Sequence, residues 1–188
     1  MGRIETRWID ACPRRTVRAM RRAPAANDFD GWVSQLGISS CRQRARFHLL
    51  ESGPRALPAL RRGLRHQKAI VRQQCVRIFD QLVDEESLPE LVLALDDEDP
   101  AVCARALHAL ACDRCKQSGC RPAEHLWVPR ALDLLRNHRN PDLRAAAIDA
   151  LGKVARHRPE VAAALAAAAA LDVDKGLRGM ARRRAHVG

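Results

Sequence analysis

Two series of apolar residues run through the chain in step, and few folds can bury a pattern of that kind. The first follows the template 0, +3, +4, +7: Phe29, Trp32, Val33, Leu36; Leu57, Leu60, Arg61, Leu64; Leu88, Leu91, Val92, Leu95; Val128, Ala131, Leu132, Leu135; and Val161, Ala164, Leu165, Ala168. The second follows 0, +4, +7, +8: Cys41, Ala45, His48, Leu49; Val71, Cys75, Ile78, Phe79; Val102, Ala106, Ala109, Leu110; Leu143, Ala147, Ala150, Leu151; and Leu177, Ala181, Arg184, Ala185. Each template marks one face of an amphipathic helix. Their starting positions advance by 28, 31, 40 and 33 residues in the first series and by 30, 31, 41 and 34 in the second. A helical pair alone cannot bury its apolar face, whereas stacked pairs share one continuous core.

Turn-formers stand where such a stack needs them. Asp99-Pro100, Asn140-Pro141 and Asp172 to Asp174 separate the two helices of a pair. Asp or Asn there accepts the free N–H groups of the next helix, and Pro at the first helical position loses nothing. The pattern predicts an all-α fold, a right-handed α-solenoid of about five helical pairs over residues 27–188. A scarcity of aromatic residues (3%) argues against a β-sandwich.

The motif D/N-P-x-[VL]-R-x-x-A-x-x-A-L resembles the second helix of a HEAT-like repeat, as found in bacterial HEAT-repeat proteins of the PBS-lyase HEAT-like type. Asn140, Pro141, Leu143, Arg144, Ala147, Ala150 and Leu151 match it in full, and the copy at Asp99 to Leu110 departs from it by placing Cys103 at the Arg position. Arg42, Arg72 and Arg178 keep that Arg in weaker copies. The resemblance implies a fold rather than an activity, because one fold hosts many roles. It also implies that the second helices line a concave face, with Arg44, Arg72, Arg105, His108, Arg144 and Arg178 as candidate partner-binding residues. A protein partner, acidic in character, is the expectation.

One interval is about ten residues longer than its neighbours, and the excess lies at about 111–126. Cys112, Cys115, Cys120 and His125 occur there in the spacing C-x2-C-x4-C-x4-H. Zinc takes four tetrahedral sulfur or nitrogen ligands, and C-x2-C brings two thiolates to one ion from a single turn. A structural zinc loop is therefore expected. His108, four residues before Cys112 on the same helical face, and Cys103 are alternative fourth ligands. Similar Cys-rich insertions occur in the bacterial HEAT-repeat proteins that the motif resembles.

The net charge of +11 sits mostly at the ends. Residues 1–26 carry +5 and read as a basic, disordered segment; residues 175–188 carry another +5, and the stretch between them is nearly neutral. The Arg-rich ends raise the alternative of a nucleic-acid-binding HEAT-like protein, whose relatives include DNA glycosylases. Phosphate-loop, zincin and nucleophile-elbow motifs are absent, so the chain is expected to be non-enzymatic. The longest apolar run, Ala162 to Leu171, is too short to cross a bilayer, and no apolar leader follows Met1. Cytoplasmic placement, reduced thiols and no membrane partner follow as expectations.

Overall fold

The computed structural model describes residues 22–116 and 119–185. Among them are ten α-helices and no strand: α1 (Phe29–Gln35), α2 (Ser39–Glu51), α3 (Leu57–Gly63), α4 (Ala69–Leu82), α5 (Leu88–Leu93), α6 (Pro100–Ala111), α7 (Val128–Asn137), α8 (Pro141–Leu151), α9 (Pro159–Leu171) and α10 (Lys175–Ala185). They form five consecutive pairs, and the second helix of each pair packs on the second helix of the next. The fold is the expected α-solenoid. Its core is drawn from the two apolar series, of which Leu36, Leu49, Leu60, Phe79, Leu91, Leu95, Leu110 and Leu151 are fully buried, together with Leu134 from outside them. Gly63 lets the first two pairs approach, since a Cβ there would lie 2.5 Å from the Cys75 sulfur and 2.8 Å from Val33. No helix among the described residues is long and apolar enough to cross a membrane.

Side chains hold the turns between paired helices in a repeated network. Asp99, Asn140 and Asp174 cap α6, α8 and α10 by accepting backbone N–H groups of the first turn. Two residues before the capping positions of α4, α6, α8 and α10, another side chain accepts the capping residue's own N–H. It is a carboxylate at Asp97 and Asp172 (both 2.8 Å), and an imidazole Nδ1 at His66 and His138 (3.0 and 3.1 Å). The repeat arginine then reaches back: Arg42, Arg72, Arg144 and Arg178 each donate to the carbonyl six residues earlier.

The network also links neighbouring pairs, and it alternates. Arg72 grips Asp97 of the following pair through two bonds of 2.7 and 2.8 Å, and Arg144 grips Asp172 through two of 2.9 and 3.0 Å. Where the turn carries His66 or His138 in place of Asp, no such ion pair forms. Arg42 stops at the Leu36 carbonyl, and Cys103, which replaces the Arg of the third pair, donates its thiol proton to the Leu95 carbonyl at 2.9 Å. The loss of the Arg at Cys103 is thus matched by the loss of its acceptor at His138.

Residues 1–21 of the basic N-terminal segment lie outside the described residues. Residues 22–26 are held on the first pair: Gln35 donates to the Arg22 carbonyl, Trp32 Nε1 donates to that of Ala25 at 2.9 Å, and His48 Nε2 lies 2.8 Å from that of Ala26. These contacts tie the last five residues of the expected 1–26 segment to the first pair.

Candidate functional site

The ten-residue excess places its first two cysteines against the preceding pair. Cys112 terminates α6, one helical turn after His108, and Cys115 follows in the next turn. Asp80, near the end of α4, completes the group. Its carboxylate, the His108 imidazole and the two sulfurs offer ligand atoms that all lie within 4.8 Å of one another. The sulfurs are 3.3 Å apart, His108 Nε2 lies 3.7 Å from Cys115 Sγ, and the same nitrogen lies 3.6 Å from Asp80 Oδ2. Asp80 Oδ1 is buried without a hydrogen bond. The Lys116 ammonium, on a side chain with 0% exposure, stands 3.6 Å from it and donates to the Ala109 carbonyl.

The two thiols differ in acidity. Burial opposes ionisation of Cys112, but hydrogen bonding to Cys115 and the charge of Lys153 draw it below the ordinary thiol value. Cys115, hydrogen-bonded to Cys112, desolvated and facing Asp80, is pushed up to about 12. Burial pulls Lys116 down, while Asp80 and the two cysteines act in the opposite sense.

Of the ligands expected from sequence, the structure brings together Cys112, Cys115 and the alternative His108. Cys120 and His125 are outside the group: Cys120 is half-buried near Asp84 and Glu85, and His125 is exposed in the short turn Glu124–Leu126. Cys103 is buried and bound to Leu95. Ligand spacing does not mark Asp80, but comparison of the repeats does: the aligned copies carry Leu50, Ala111, Gly152 and His186 at its position, so an acidic residue there breaks the repeat.

Asp80 and His108 also line a groove of about 730 Å³ across the second helices, bounded by Arg46 of α2, Arg77 of α4, Arg105 of α6 and Asp142 of α8. Arg46, Arg77 and Arg105 form no ion pair among the described residues. Arg46 Nε is buried without a hydrogen bond. Burial, then the Arg77 charge, pulls the Arg105 guanidinium down from its ordinary value. Of the expected partner-binding residues, Arg105 and His108 face this groove. Arg72 and Arg144 do not: both are buried, and their donors are engaged by Asp97 and Asp172 and by turn carbonyls. Arg178 is likewise engaged by the carbonyls of Asp172 and Val173. Arg44 lies over the Trp32 ring, 5.7 Å from its centroid.

The comparisons agree with this architecture. A family model described as HEAT repeats matches residues 88–184, just over half of the chain. No curated protein sequence matches significantly. Among solved structures, the complex of CpcE and CpcF of phycocyanin lyase from Nostoc sp. PCC7120 is similar, with a TM-score of 0.68 at 17% identity over 85% of this chain and 99% of that one. With the repeat visible in sequence, in packing and in the family match, the chain belongs to the HEAT-repeat family.

Proposed function

We propose that the chain is a non-catalytic scaffold whose second-helix groove captures an acidic segment of a protein partner. The supporting observation is the set of three guanidinium groups, Arg46, Arg77 and Arg105, that line one groove without forming an ion pair among the described residues. Like charges held together cost free energy, and a carboxylate-bearing ligand would relieve that cost through charge-assisted hydrogen bonds. Of the three carboxylates in the groove, Asp99 caps α6 and Asp80 belongs to the thiol cluster, which leaves the exposed Asp142 alone against three cations. The similar solved structure is itself a complex of two proteins, which supports a role in assembly.

The nucleic-acid alternative has less to draw on. In α10, Arg178 and Arg182 donate to turn and helix carbonyls and Arg184 pairs with Asp149. The test is binding of a fluorescent Glu-rich peptide by the intact chain. We expect salt-sensitive binding that the double change Arg77→Glu, Arg105→Glu weakens at least about tenfold. Unchanged binding by the doubly reversed protein, or preference for duplex DNA over the peptide, overturns the proposal.

A further inference from the structure

The cluster around Asp80 asks for an occupant of its own. It gathers two sulfurs, an imidazole nitrogen and a carboxylate within 4.8 Å, yet one buried carboxylate oxygen has no hydrogen bond. That oxygen faces the Lys116 ammonium at 3.6 Å, beyond hydrogen-bond distance, so it keeps accepting capacity that a bound ion would use. A tetrahedral ion with metal–sulfur bonds of about 2.3 Å and metal–nitrogen or –oxygen bonds of about 2.0–2.1 Å spaces its ligand atoms about 3.3–3.8 Å apart. Within that range the sulfur–sulfur spacing is about 3.8 Å, sulfur–nitrogen about 3.6 Å and nitrogen–oxygen about 3.3 Å. The corresponding separations here are 3.3, 3.7 and 3.6 Å, so each pair lies within about 0.5 Å of its tetrahedral value.

We propose that Asp80, His108, Cys112 and Cys115 form a structural zinc site that staples the second helical pair to the third. The proposal does not depend on the groove reading, because its readout is metal content rather than peptide capture. Mixed thiolate, imidazole and carboxylate ligation in a tetrahedron suits zinc, whereas calcium and magnesium prefer oxygen ligands in larger shells. Four protein ligands leave no open position, which marks a structural rather than a catalytic site.

The charges close as well. Two thiolates and one carboxylate exceed a divalent cation by one negative charge, and the buried Lys116 ammonium, 3.6 Å from Asp80, supplies the missing positive one. Lys116 is then an outer partner that balances the site without touching the ion. The chain placement explains the staple. His108 and Cys112 share one face of α6, Cys115 comes from the turn beyond it, and Asp80 is presented by α4 of the preceding pair. Metal binding would therefore join two repeats and fix the start of the insertion in one step.

The test uses the full chain purified under reducing conditions without a polyhistidine tag. Elemental analysis should find about one equivalent of zinc. Replacement by Co2+ should give the visible absorption of a tetrahedral ion together with thiolate charge-transfer bands. Asp80→Asn and His108→Ala should each weaken zinc binding by more than about 100-fold, beyond the loss typical of outer partners. Cys120→Ser and His125→Ala should leave it unchanged. Less than about a tenth of an equivalent of zinc, or a Cys112–Cys115 disulfide in place of the metal, overturns the site. Zinc kept by Asp80→Asn and His108→Ala but lost by Cys120→Ser overturns it too, because the ion would then belong to the loop alone. Should a variant fail to fold by circular dichroism, the Co2+ spectrum of the unaltered chain still decides the sulfur and geometry of the donor set.

Discussion

Arg72 and Arg144 show how far one residue's role can lie from its sequence neighbourhood. Their regular recurrence on a helix is visible in the chain, but periodicity cannot tell an arginine facing a ligand from one tying a turn. The deciding partners, Asp97 and Asp172, lie 25 and 28 residues downstream in the next pair. The Arg144 and Asp172 side chains are 10% and 5% exposed, so breaking their pair leaves a charge stranded. Arg144→Ala should lower the unfolding free energy by roughly 3–5 kcal/mol, read by urea denaturation. The pair also sets a pH dependence. Burial alone would raise the Asp172 carboxyl, but hydrogen bonding to Arg144 and the Asp174 N–H holds it below the usual carboxylate range. A depressed folded value stabilises the protein above the unfolded value of about 3.9, and that stability drains away as pH falls through the folded one. Asp172→Asn should therefore be less stable than the parent at neutral pH, with a shallower loss on acidification. Equal slopes would refute the assignment.

At the level of helices, the last three pairs are the more legible because Asp99-Pro100, Asn140-Pro141 and Asp172 to Asp174 punctuate them. The family match likewise begins at residue 88. The first two pairs rest on periodicity alone: neither α2 nor α4 has a side-chain cap at its start. Packing there depends on close approach instead. Gly63→Ala would drive a methyl group into the Cys75 sulfur and Val33, neither of which has space to move. Loss of about 1–3 kcal/mol is expected in thermal or urea unfolding, despite alanine's better helix propensity. The candidate cluster was half legible for a related reason. Cys112 and Cys115 announce themselves by spacing, and His108 by its place one helical turn earlier. Asp80 lies 28 residues before His108, on another helix, and only the alignment of repeats against one another isolates it.

Over the whole molecule, charge is organised by the stacking. The acidic stretch from Asp84 to Glu98 pairs with cations from both sides: Arg61, Arg65 and Arg72 of the second pair and Arg130 of the fourth. Its acids thus run along a seam between repeats, with Asp97 largely buried in it and Glu86 and Glu98 at its exposed rim. The N-terminal end of the stack is closed differently. Residues 22–26 supply carbonyls to Gln35, Trp32 and His48, so they act as a cover for the first pair. Removing residues 1–26 should lower the melting temperature relative to removing only 1–21; equal melting temperatures would show that the cover adds nothing.

The alternation of turn residues along the stack has a thermal consequence. The junctions after the second and fourth pairs are clamped by buried Arg–Asp pairs, whereas those after the first and third, at His66 and His138, lack that clamp and carry instead the more exposed pairs Arg62–Asp30 and Arg130–Asp96. Charge desolvation becomes less costly on warming, while apolar attraction fades on cooling. Both kinds of joint therefore gain on warming, but apolar attraction levels off with heat while the charge pairs go on gaining. The clamped junctions thus pull ahead as temperature rises, and on heating the solenoid is expected to open first at the joints beside His66 and His138.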